Sequence, residues 1–220
     1  MPKKLSPMME QYFQIKDNYQ DCILFYRVGD FYEMFYDDAL EASRVLEIAL
    51  TGKNCGQEER APMCGVPFHS AETYIHKLVD KGYKVGICEQ VEDPATAKGI
   101  VKRDVIKIIT PGTLTSQMML NESENNYLAA IYCDKAGISI SYCDISTGEL
   151  RTTEMTAGND IYNDMINEIC RIGCKEIIAN EGFEDIFSKE KLADASGAYV
   201  QIKSDKYYSS KAAKDILDEL

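Results

Sequence analysis

A chain of 220 residues has room for one large domain or two small ones, and 45 % apolar with 27 % charged residues excludes a disordered or fibrous class. The net charge of −12 disfavours a polyanion partner. It is uneven, however: residues 1–115 hold 14 Lys and Arg against 17 Asp and Glu (net −3), and residues 116–220 hold 10 against 19 (net −9), so any polyanion-binding patch belongs in the first part.

The first predicted element is a helix over "SPMMEQYFQIKDNY", with Ser6 as N-cap, Pro7 at the first helical position and Met8, Tyr12, Ile15 and Tyr19 at helical spacing. "CILFYRV" reads as a strand ended by Gly29, and "DDALEASRVLEIAL" as a helix with Asp37 and Asp38 in its first turn. The crowded stretch between them, "YRVGDFYEMFYDD", is then a strand-to-helix connection. "TGKNCGQEERAPMCGVPFHS" reads as a loop because it is rich in Gly, Pro and charge. Ser70 can cap a helix "AETYIHKLVDKG" whose Ile75, Leu78 and Val79 face inward; a strand "YKVGICEQV", a polar loop and a strand "DVIKIIT" follow. This predicts an α/β domain over 1–115, and "SQMMLNESENN", polar and without periodicity, supplies a linker over 116–125.

From residue 126 the pattern changes to an antiparallel meander. Turns fall at Asp134–Gly137 and near Thr147 and Gly148, and Ile138, Ile140 and Tyr142 alternate along the middle strand. A helix around 160–172 places Ile161, Met165, Ile166, Ile169 and Cys170 on one face; strands "KEIIAN" and "YVQIK" and a final helix "SSKAAKDILDEL" follow. That helix has no Gly or Asn stop signal, which predicts a chain truncated at its C-terminus. No run approaches the roughly 20 apolar residues of a membrane helix, and the N-terminus lacks a signal-peptide core, which places the chain in the cytoplasm with no membrane partner.

Chemistry-bearing motifs are scarce. There is no Walker A, G-x-S-x-G, H-E-x-x-H or C-x-x-C pattern, and only His69 and His76 are available for acid–base work. The eight cysteines read as reduced structural thiols, with Cys170 and Cys174 the only pair spaced for a metal. The meander resembles the start of a ribonuclease-H-like fold, so Asp134, Asp144 and Glu149 are candidates for a metal-dependent nuclease, provided that they converge. Arg27, Lys53, Arg60, Lys98, Lys102 and Arg103 are candidate phosphate contacts or a solvated surface. A loop of alternating aromatics and acids could also act as a wedge into a stacked duplex.

Long blocks in a fixed order, "SPMMEQYFQIK", "ILFYRVGDFYEMFYDDA", "APMCGVPFHSAETYIHKLVDKGYKVGICEQVEDPATAKGIVKRDVIKIITPGT" and "NYLAAIYCDK…DISTGE", resemble the bacterial MutS family of DNA mismatch-recognition proteins. The resemblance implies a mixed-sheet mismatch-recognition domain over 1–115 and, over 126–220, part of a ribonuclease-H-like connector domain without nuclease activity. The family's Phe-x-Glu motif falls on Phe31-Tyr32-Glu33. In the family the Phe enters the minor groove and stacks on a mispaired or unpaired base, while the Glu hydrogen-bonds that base; by its chemistry Glu33 can accept from a base N–H or, protonated, donate to a purine ring nitrogen. Tyr32, Phe35 and Tyr36 are expected to anchor the wedge, and Arg27, Lys98, Lys102 and Arg103 to reach the backbone. The resemblance further implies duplex DNA as partner, MutL docking on the connector and a homodimer in the longer protein. ATP and Mg²⁺ would be bound there and not by this chain, which is then not an enzyme; a purely protein-docking module is the other alternative.

Overall fold

The computed structural model describes residues 5–92, 97, 99–114, 125–158 and 160–218. The chain forms two compact units, Met1–Thr110 and Pro111–Leu220. Of the expected linker over 116–125, only Asn125 is among the described residues.

The first unit opens with helix α1 (Pro7–Lys16), entered through Pro7, whose fixed φ suits a first helical position. Strand β1 (Cys22–Val28) follows, then a two-residue turn and strand β2 (Phe31–Phe35), which runs straight into helix α2 (Tyr36–Leu46). The expected strand-to-helix connection is therefore a hairpin: Val28 pairs with Phe31 and Tyr26 with Glu33. Gly29 makes the tight turn possible by adopting φ 57°, which costs a side chain-bearing residue far more. The expected loop over 51–70 is also corrected, because it contains strands β3 (Thr51–Lys53) and β4 (Ala61–Pro67) and a 3-10 turn, Phe68–Ser70. Helix α3 (Ala71–Asp80) and strands β5 (Lys84–Gln90) and β6 (Arg103–Ile109) complete the unit. The Ser70 side chain does not cap α3; its hydroxyl donates to Pro67 O at 3.3 Å.

The six strands lie in the order β3-β4-β2-β1-β5-β6, with β1 and β5 parallel and every other neighbour antiparallel. On one face Leu24, Tyr26, Phe35, Ala61 and Cys88 pack against Met9 and Tyr12 of α1. Alternate residues, including Phe25, Met34, Cys64, Val66 and Ile87, are buried on the other face, where α2 and α3 pack. Both faces are thus covered, which explains the near-continuous apolar reading of β1.

The second unit begins with a 3-10 turn, Pro111–Thr113, and the meander β7 (Tyr127–Asp134), β8 (Gly137–Asp144) and β9 (Glu149–Thr156). Next come α4 (Ile161–Ile172), β10 (Glu176–Asn180), α5 (Glu181–Glu184), α6 (Lys189–Ser196), β11 (Tyr199–Lys203) and α7 (Ser210–Leu217). The order β11-β10-β7-β8-β9 joins the meander to two parallel strands through β7. This is the ribonuclease-H-like topology, and the two mixed sheets make the chain α/β as expected.

Met165, Ile169 and Ile172 of α4 are buried against Ile131, Ile140 and Ile177; Cys170, assigned to the same face, is exposed instead. Glu176 is buried, its carboxylate accepting from Gly112 N at 3.0 Å and from Gln201 Nε2 at 2.6 Å. A Cβ at position 112 would lie 2.8 Å from Glu176 Cβ, so only glycine permits this approach. No helix among the described residues is long and apolar enough to cross a membrane.

Candidate nucleic-acid interface

Phe31 and Glu33, two residues apart on β2, point to the same side of the sheet as Phe35, the side on which α1 packs. Nearest α1 the strand is sealed, with Phe35 fully buried, whereas at the hairpin end Phe31 is 47 % exposed. A phenylalanine left that open beside a core of aromatic side chains is a displayed ring.

The hairpin that displays it is pinned. Arg27 Nε donates to Gly29 O at 2.5 Å, Phe68 N donates to Asp30 O at 2.9 Å, and Arg103 Nε donates to Arg27 O at 2.6 Å. On the opposite face the Tyr32 hydroxyl donates to the Glu89 carboxylate, which also pairs with Arg27 Nη1 at 3.2 Å. Burial, then the hydrogen bond to Glu89, pushes the Tyr32 phenol up to about 12, so it remains a donor across the neutral range. The Arg27 guanidinium stacks 3.8 Å from the centroid of Phe68, itself 42 % exposed. Phe68 follows Pro67, which pairs with Phe31, and its ring lies with Arg27 and Tyr32. Sequence reasoning missed Phe68, because an exposed ring after a Val-Pro pair carries no periodic signal.

Glu33 forms an ion pair with Lys53 of β3 through one oxygen, Oε2, and its side chain is only 14 % exposed. The Lys53 ammonium also lies 5.7 Å from the Phe35 ring centroid. Lys53 read only as one of several scattered basic residues, since nothing in sequence joins positions 33 and 53.

Of the remaining basic candidates among the described residues, Arg27 and Arg103 are neighbours and both are engaged within the fold. Arg103 is 8 % exposed, with Nη1 donating to Val101 O at 2.9 Å and Gln11 Oε1 at 3.2 Å and the guanidinium over Tyr26 at 4.9 Å. These bonds make it a brace for the hairpin and draw it away from a phosphate. Arg27 is similarly engaged by Glu89 and Phe68. Lys102 is exposed, and Lys98 lies outside the described residues.

Tyr32, Phe35 and Tyr36 do anchor the motif. Tyr32 and Phe35 are buried, and the Tyr36 ring lies 5.1 Å from Phe13. Tyr36 takes φ 51°, a left-handed conformation that costs a non-glycine residue on the order of 1 kcal/mol and lets the strand turn directly into α2. Asp38 is in the first turn of α2, as expected, and is buried there. It accepts from Leu24 N at 3.0 Å and Lys16 Nζ at 2.9 Å.

The carboxylates considered for a metal site in the second unit do not converge. Asp144 is 2 % exposed: Oδ1 accepts from Ser146 N at 2.9 Å and Ser146 Oγ at 2.6 Å, and Oδ2 from Asn126 N at 3.1 Å. The Ser146 hydroxyl, followed by the Asn126 and Ser146 amides, holds its carboxyl below the usual range. Glu149 pairs with Arg151 and accepts from the Tyr127 hydroxyl at 3.1 Å. Asp134 is at the far end of β7, accepting from Ala136 N at 2.7 Å and Gly137 N at 3.2 Å. Among the described residues no group of three or more His, Cys, Asp or Glu could hold a metal ion.

Family models for MutS domain I and MutS domain II match residues 6–118 and 126–220. The DNA mismatch repair protein MutS of Acetivibrio thermocellus is 55 % identical over 94 % of this chain and 24 % of its own length. Those of Clostridioides difficile and Staphylococcus carnosus are 52 % and 48 % identical over 99 % and 97 % of this chain, covering 22 % and 24 % of theirs. The chain thus spans about a quarter of the length of the curated relatives it matches. A solved Ppx/GppA phosphatase of Aquifex aeolicus aligns over 36 % of each chain at 13 % identity with a TM-score of 0.24, too slight a likeness to inform fold or function. With both of its units matched by the corresponding domain models and close relatives along its whole length, the chain belongs to the MutS family of DNA mismatch repair proteins.

Proposed function

We propose that this chain recognises mispaired or unpaired bases in duplex DNA, with Phe31 entering the minor groove to stack on the faulty base and Glu33 hydrogen-bonding it. The observation that carries the reading is the open Phe31 ring at the end of a pinned hairpin, beside a carboxylate on the same face, within a MutS domain I. Stacking of a ring on a base tolerates any base, as recognition of many different errors requires. Unstacking a step costs least where pairing is already faulty, so selectivity comes from deformability. Glu33 adds to it by disfavouring close approach to the phosphates of an intact duplex.

The second unit, with its acidic surface, serves protein docking, and MutL is its partner. Homodimerisation and the ATP and Mg²⁺ chemistry belong to the longer protein, and the chain itself performs no catalysis. The protein acts in the cytoplasm. Replacing Phe31 tests the central claim. In the full-length protein Phe31→Ala lowers the ratio of mismatched to matched duplex affinity roughly 5- to 150-fold, the range of one lost base stack. Fluorescence anisotropy with both duplexes reads the ratio, and an unchanged ratio rules out the wedge.

A further inference from the structure

We infer that Lys53 is the positioning residue that aims Glu33 at the base. Lys53 binds only Oε2 of Glu33, and among the described residues Oε1 has no hydrogen-bond partner, so one oxygen is fixed while the other is open. A glutamate without such a partner samples more rotamers, and ordering it on binding costs conformational entropy; the lysine removes most of that cost in advance. The pair is well placed to be rigid, because neither side chain is widely exposed (28 % for Lys53, 14 % for Glu33) and the ammonium is held near the Phe35 ring.

Lys53 also offsets the carboxylate's charge where it approaches phosphates. Loss of the lysine leaves an unoriented, uncompensated acid beside the wedge. That acid repels every duplex, and a mismatched duplex additionally loses an aimed hydrogen bond. A lysine that simply touched phosphate would instead weaken all duplexes alike and lower the salt slope by about 1. The inference rests on the base-contact reading of Glu33.

A double-mutant cycle in the full-length protein separates these roles, with affinities for matched and mismatched duplexes measured for Lys53→Met, Glu33→Gln and the double variant. Lys53→Met is expected to lower the mismatched-to-matched ratio about fivefold, the worth of one hydrogen bond, and to have less than a twofold effect once Glu33 is Gln. Lys53→Arg, which keeps the ion pair, is expected to stay within about twofold of the parent ratio. Equal loss on both duplexes, or the same loss in both Glu33 backgrounds, overturns the positioning role. If Lys53→Met unfolds, Lys53→Gln takes its place under the same criteria. Should Phe31→Ala and Glu33→Gln both leave the ratio unchanged, the base-contact reading itself fails, whatever the Lys53 variants do.

Discussion

Strands β2 and β8 each lie inside a mixed sheet and each carries an acid, yet the two acids have opposite fates. Asp144 at the end of β8 is buried and accepts from two backbone amides and a hydroxyl, so both its oxygens serve the fold. Glu33 of β2 has one ion-pair partner and one oxygen to spare, and its neighbour on the same face is an exposed ring. A carboxylate whose acceptor sites are filled from within is structure, and one left half-filled beside an exposed ring keeps an acceptor to spare. The contrast follows the local partners and not the unit, since Asp38, only five residues from Glu33, resembles Asp144.

The largest expected effect breaks that resemblance. Asp38→Leu strands the Leu24 amide and deprives Lys16 of its counter-charge, although Lys16 keeps Cys22 O at 2.5 Å. Leaving a largely buried charge without its partner predicts a loss of about 3 kcal/mol in the first unit. Hydrogen exchange of this chain should show faster exchange along β1 and unchanged exchange along β7; a loss below 1 kcal/mol would remove Asp38 from the class of structural acids.

Asp144→Asn acts on the second unit and is expected to cost about 1–3 kcal/mol, because an amide group then faces a donor. It also has a pH signature. Its folded carboxyl titrates below the unfolded value of about 3.9, so its stabilisation is fully present above that pH and fades as pH falls through the lower, folded value. Protection of β7 and β8 should therefore drop below about pH 4 in the parent chain and drop less in Asp144→Asn, which cannot lose what it lacks. Parallel pH profiles would show that other groups govern the acid limit.

How much of this was legible in sequence varies with the local physics. Helix α4 was readable because its apolar residues recur at helical spacing over one covered face, although Cys170 follows the spacing and is still exposed. Strand β2 was hidden because it is covered on both sides at one end and open at the other, which erases alternation. Strand β4 was hidden by Pro62, Gly65 and Pro67, residues that mark turns in most settings. For the site, the Phe-x-Glu resemblance singled out Phe31 and Glu33, whereas the brace of Arg103 and the pairing of Lys53 with Glu33 depend on tertiary contacts. The burial of Asp38 was hidden for the same reason, since a first-turn acid looks alike in sequence whether it meets solvent or Lys16.

A third kind of acid sharpens the contrast by the smallest amount. Glu47 caps the C-terminal end of α2 at φ 56° and ψ 39°, exposed, with its backbone N–H on Ser43 O. The left-handed conformation costs a residue with a Cβ about 1–2 kcal/mol, and a negative charge at a helix C-terminus adds a few tenths. Glu47→Gly removes both penalties but gives the unfolded chain about 0.5–1 kcal/mol of extra freedom. A net gain of about 0.5–1 kcal/mol is expected, seen as slower hydrogen exchange in α2 with no change in mismatch discrimination. If the variant is instead destabilised, Glu47 belongs with Asp38 and Asp144 among the acids the fold requires, and solvent exposure fails as the mark that separates them.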